Sequence, residues 1–149
     1  MIPAVYMAQV VFLAFSTNLP LGMILGATLV AAAFMEETVK SVGIVVLEEH
    51  GVVKSARYIL GLAFLSALGF LVGEKLLLLV SLSVVSQASI SGALFGQGKF
   101  LLIPLFAHFV FTAIVTLLKT KAKFPYTIAL AAGTLAHFLY NWYLMGGLR

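Results

Sequence analysis

Apolar residues in this chain fall into five continuous runs separated by short polar breaks. The first extends from about Pro3 to Phe15 and ends in the turn-like Ser16-Thr17-Asn18-Leu19-Pro20. The others extend from about Leu21 to Leu47, Tyr58 to Val85, Phe100 to Leu118 and Phe124 to Met145. Crossing the hydrocarbon core of a bilayer takes about 20 apolar residues in a helix. The last four runs reach that length, whereas the first is short for a full span. A transmembrane β-barrel would need short strands of alternating apolar and polar residues, and these runs do not alternate. The pattern predicts an all-α fold: a polytopic transmembrane bundle of about five helices, forming one integral membrane domain over residues 1–149.

The breaks between runs carry the orientation. With five spans, the second and fourth connections share a side with the N-terminus. That side holds Lys54, Arg57, Lys119, Lys121 and Lys123, against Lys99 and Arg149 on the other. The excess of Lys and Arg on cytoplasmic loops then predicts a cytoplasmic N-terminus and an outer C-terminus. If the first run does not span, only the N-terminus changes sides. The net charge of +4 lies in these loops, so it points to no nucleic acid partner.

Composition agrees with the pattern. The chain is 62% hydrophobic and 9% charged, with a mean hydropathy of +1.14, far from an ordinary soluble domain. Without cysteine it can form neither a disulfide nor a Cys-based metal site. The N-terminus lacks the basic region and cleavage site of a signal peptide, so the first helix is expected to act as its own insertion signal. Small residues thin the helices at Gly69, Gly73, Ala131, Ala132 and Gly133, where close helix packing in lipid is expected. The loop from Ser86 to Lys99, with three glycines, is expected to be a passive linker.

Chemistry enters through the polar residues left inside the apolar runs. Three of the five acidic residues, Glu36, Glu37 and Glu74, sit there, joined by His108 and His137. A carboxylate in a bilayer costs roughly 3 kcal/mol by insertion scales, and such residues usually mark a pathway or a site. Glu36-Glu37-x-x-Lys40 puts one lysine within reach of either carboxylate on a helix. It can neutralise one and leave the other free to act as a base. Glu74 follows Phe70 by one turn, with Gly73 clearing space beside it. His108 is followed by Thr112, and His137 by Asn141, each pair sharing a helix face at i,i+4. His50 sits in a polar loop and is expected to have no role.

Carboxylates and imidazoles from four helices suit two hydrolytic mechanisms. In one, His and Glu hold zinc and a remaining Glu deprotonates water on the metal. In the other, a Glu–His pair activates water directly while Asn141 and a histidine stabilise the oxyanion. No clear serine nucleophile motif is present, and the absence of Asp excludes an Asp dyad. A proton or ion translocator would use similar residues, and a catalytically inactive scaffold could keep the same fold.

The ordered set Glu36-Glu37-x-x-Lys40, Gly69-Phe70-x-x-x-Glu74, His108-x-x-x-Thr112-Ala113 and His137-x-x-x-Asn141 resembles the PrsW family of intramembrane proteases. That family is related to the CAAX prenyl protease and bacteriocin-processing group. The resemblance covers residues 34 to 142, with Lys75 where the family commonly has Asn. It implies a multi-pass protein of a prokaryotic cell membrane that hydrolyses peptide bonds of membrane-anchored protein substrates. It also implies a catalytic set of Glu36, Glu37, Glu74, His108, His137 and Asn141, with Glu74, His108 and His137 as the ligands if zinc is used. Counting about 1.5 Å per residue from the helix ends puts Glu36 and Glu37 toward the inner half of the bilayer. The same count puts Glu74, His108, His137 and Asn141 toward the outer half. A single site then requires the second helix to start later, tilt, or break near Ala31-Ala32-Ala33.

Overall fold

The computed structural model describes residues 21–86 and 102–144, which form four α-helices and no strand. They are α1 (Leu21–Glu49), α2 (Ala56–Ser86), α3 (Leu102–Thr120) and α4 (Tyr126–Leu144). Each end falls within two residues of the boundary read from the apolar runs. The run at Pro3–Phe15, the linker beyond Ser86 and Arg149 lie outside the described residues. Two of the four helices, over Ala56–Leu76 and Leu102–Thr120, are long and apolar enough to cross a membrane.

Local chemistry sets where the helices stop. Gly51 takes a φ of 72°, the left-handed conformation that closes a helix. The Val52 N–H then donates back to the Leu47 carbonyl at 2.9 Å. Ser55 caps α2 by accepting from the Arg57 N–H at 3.2 Å. After α3 the chain turns through Lys123 (φ 60°) into Pro125, whose fixed φ suits the start of α4.

α1 and α3 are the central pair: each packs against the other and against both α2 and α4, while α2 and α4 do not meet. The two polar connections lie together at one end. There Lys119 pairs with Glu49 at 2.9 Å, Lys123 with Glu48 at 3.3 Å, and Lys121 donates to the Lys54 carbonyl at 2.5 Å. The Lys119 hydrogen bond holds the Glu49 carboxyl below the usual carboxylate range.

Packing near that end is apolar. Ile44, Ile59 and Ala63 join α1 to α2, and Val115, Ala129 and Leu130 join α3 to α4. Gly133 is buried where α4 approaches α3 most closely; a Cβ there would overlap Val115 Cγ2 and come within 3.2 Å of the Phe111 carbonyl. The expected role of Gly69 and Gly73 is not met among the described residues, because both are exposed and a Cβ at either would find no neighbour within 4 Å.

Midway along the bundle the usual distribution of polarity is reversed. Val39, Leu65, Phe106 and Leu135 face outward, while Glu37, Lys40, Ser41, His108, Thr112, Thr116 and His137 are buried between the helices. In water such an arrangement would expose apolar surface without gain and desolvate polar groups at a cost.

Candidate functional site

The site begins on α1 with two adjacent carboxylates that the structure separates by role. Glu37 has no solvent exposure and accepts three hydrogen bonds. Lys40 Nζ donates to its Oε1 at 2.5 Å, His137 Nδ1 lies 2.8 Å from the same oxygen, and the Thr112 hydroxyl donates to Oε2 at 3.2 Å. Glu37 therefore ties α1 to α3 and α4. Glu36, one residue earlier, points elsewhere: its Oε2 is buried and has no hydrogen-bond partner among the described residues. That oxygen lies 3.7 Å from His137 Nε2 and 3.9 Å from His108 Nδ1.

The two histidines meet edge to face, with ring centroids 5.1 Å apart. Phe111 stacks on His137 at 4.9 Å and 19°, fixing the ring plane. His108 Nδ1 lies 3.1 Å from Lys40 Nζ, and its Nε2 lies 3.6 Å from Glu74 Oε2. Glu74 is half-buried and also pairs with its neighbour Lys75 at 3.2 Å. The Phe70 ring covers the other side of Lys40, with the ammonium 5.0 Å from its centroid. Behind the site, the Tyr126 hydroxyl bonds Ser41 Oγ at 2.9 Å, and Ser41 donates to the Glu37 carbonyl at 2.6 Å.

Glu36, Glu74, His108, His137 and Asn141 all line one cavity of about 170 Å³, together with Lys75, Pro104 and Tyr140. Five of the six residues singled out in the sequence border this space. The sixth, Glu37, sits behind it and acts through His137. A larger apolar groove of about 780 Å³ between α1 and α4 carries no ionisable side chain and no chemistry. His50 is exposed in the polar connection after α1, with its Nδ1 2.9 Å from the Val46 carbonyl.

One metal-ligand set is formed by Glu36, His108 and His137, whose ligand atoms all lie within 4.8 Å of one another. Glu36 thus occupies the place that the family resemblance gives to Glu74, which reaches only His108. The fit rests on a buried carboxylate oxygen without a partner and on His137, whose Nε2 faces it while Nδ1 is held by Glu37. A carboxylate behind a ligating histidine is the usual outer-shell arrangement of metal sites.

The difference in depth read from the sequence closes without a helix break, since α1 runs unbroken from Leu21 to Glu49. α1 and α4 are antiparallel, as the Ser41–Tyr126 contact at one end and the Gly26–Trp142 approach at the other require. Side chains on a helix lean toward its N-terminus. Glu37 and His137 therefore lean toward each other along the bundle and meet between their Cα levels. Sequence reasoning did not find Phe111, Ser41 or Tyr126; one phenylalanine among 12 gives no signal of a stacking role. No family model, curated protein or solved structure matches the chain.

Proposed function

We propose that the protein is an intramembrane endopeptidase that hydrolyses peptide bonds of membrane-anchored proteins, with its described helices and the preceding apolar run lying in the bilayer. The observation that carries this reading is the unpartnered Glu36 Oε2 facing His137 Nε2 across 3.7 Å at the wall of a polar cavity. Buried acceptors are almost always satisfied, so a buried oxygen with no hydrogen-bond partner among the described residues calls for a hydrogen-bonding guest. A water in that gap can donate one hydrogen to each acceptor, which aims its lone pair into the cavity.

In the reaction, the water oxygen forms a bond to the substrate carbonyl carbon while its proton passes to the Glu36–His137 pair. The negative charge that develops on the carbonyl oxygen is met by two donors that line the same cavity, His108 and Asn141. The same proton is then delivered to the amide nitrogen, the C–N bond breaks, and the amine leaves. Glu37 stays outside the transfer; with Lys40 and Thr112 it fixes the His137 ring. In the alternative with metal, Glu36, His108 and His137 would hold a zinc ion, His108 then offering a lone pair in place of its N–H, and the ion would supply Lewis acidity toward the carbonyl and the water. The outward-facing apolar residues and buried polar centre support a lipid setting, where a substrate helix must unwind locally to present its amides.

The reading is tested by comparing membranes that contain the wild-type protein with membranes that contain Glu36→Gln, using mass spectrometry of peptide termini. New termini within or beside the apolar spans of other membrane proteins are expected with the wild type alone. If the two sets of termini are the same, the assignment fails.

A further inference from the structure

Lys40 is the largest fully buried side chain among the described residues, and the reaction above gives it no direct part. Its ammonium lies 2.5 Å from Glu37 Oε1 and 3.1 Å from His108 Nδ1, so it touches both halves of the site. An ammonium has three N–H donors and no lone pair, while a carboxylate only accepts. Those facts dictate where the imidazole protons sit. His108 Nδ1 faces a donor and must present its lone pair, so its proton is on Nε2, directed at Glu74 Oε2. His137 Nδ1 lies within hydrogen-bond distance of an acceptor, Glu37 Oε1, and must carry a proton; in the neutral ring the lone pair is then on Nε2, which makes no hydrogen bond to Glu36 across 3.7 Å.

We infer that Lys40 is a positioning residue that, together with Glu37, locks His108 and His137 into opposite tautomers, one presenting an N–H to the cavity and the other a lone pair. The inference deepens the hydrolase reading, because it decides which histidine donates to the oxyanion and which accepts the proton of water. Two imidazoles 5.1 Å apart in one cavity would otherwise be interchangeable. Phe70 blocks water from the remaining side of the ammonium, so the lysine is left to the groups it orders.

The test is imidazole ¹⁵N NMR of the full chain in detergent micelles, with each ring assigned through single His→Gln variants. In the wild type, His108 should show its proton on Nε2 and His137 on Nδ1. His50, whose Nδ1 faces the Val46 carbonyl, serves as a reference for the Nδ1–H form. In Lys40→Met the His108 preference should be lost while His137 keeps its tautomer through Glu37, and Lys40→Arg should restore the His108 preference. The same tautomer on both rings in the wild type overturns the inference, and that measurement needs no variant to fold. So does an unchanged His108 in Lys40→Met. Because the NMR needs no substrate, opposite tautomers in a protein that cleaves nothing would retain the inference and sink the hydrolase reading. Where cleavage is observed, Lys40→Met should lower kcat about 10²-fold, the scale of one acid–base contribution, with KM unchanged.

Discussion

Replacing Glu37 by Gln preserves the side-chain volume and removes one charge from a position without solvent exposure. The amide can still accept through its oxygen, but its NH₂ must face one of three donors, Lys40, His137 or Thr112. The Lys40 ammonium then loses its carboxylate while remaining buried. Breaking a buried ion pair by removing one partner costs about 3–5 kcal/mol. Chains unfolded within a membrane find substitute partners for polar groups, so a value of about 3 kcal/mol is expected here. Lys40→Met should cost a similar amount, since it strands the carboxylate. The double variant should cost well under the sum, with a coupling of about 2 kcal/mol, because neither charge is then left alone.

The assay is reversible unfolding in mixed detergent micelles, followed by far-UV circular dichroism and by the fluorescence of Trp142, the chain's single tryptophan. Glu36→Gln is the control: its Oε2 has no hydrogen-bond partner among the described residues, so its stability should stay within about 1 kcal/mol of wild type. Additive effects of Glu37→Gln and Lys40→Met, or a Glu36→Gln as damaging as Glu37→Gln, would refute the division of labour between the two glutamates.

Other consequences can be checked separately. Gly133→Ala places a methyl group against Val115 Cγ2 and the Phe111 carbonyl and should destabilise by about 1–3 kcal/mol, with Val115→Ala recovering part of the loss in the same unfolding assay. Zinc titration followed by calorimetry should give one site that is lost in Glu36→Gln and in His137→Ala but retained in Glu74→Gln; loss in Glu74→Gln instead would favour the set with Glu74. At the polar end, the Glu49 carboxyl is held low by Lys119, so their contact persists at neutral pH and is lost as pH falls through the lowered value. Lys119→Ala should return that carboxyl to its ordinary range in a ¹³C NMR titration.

How much of this was legible in the sequence depends on the kind of signal. Helix positions were, because each apolar run is bounded by polar residues that must reach water. The inventory of polar residues was equally plain, since each stands out against an apolar run. Which glutamate would be free was not: Glu36 and Glu37 are both within helical reach of Lys40, and only the neighbouring helices decide. Depth was misjudged because counting along an axis places Cα atoms, whereas Glu37 and His137 meet through side chains that lean in opposite directions along the bundle. Of the small residues expected to bring helices close, Gly133 does so, whereas Gly69 and Gly73 do not among the described residues, since close packing needs a partner helix on the right side.

Among the described residues α2 packs on α3 and α1 but not on α4, so it joins the site from one side only. Glu37, Lys40, Thr112, His108 and His137 belong to α1, α3 and α4 and are cross-linked by hydrogen bonds. α2 adds the Phe70 ring, Glu74 and Lys75 from the side, closing the cavity like a door hung on the α1–α3 pair. None of the hydrogen bonds to the Glu37 carboxylate comes from α2. Substitutions along the free face of α2 should therefore alter how readily the cavity fills, and leave the chemistry inside it unchanged.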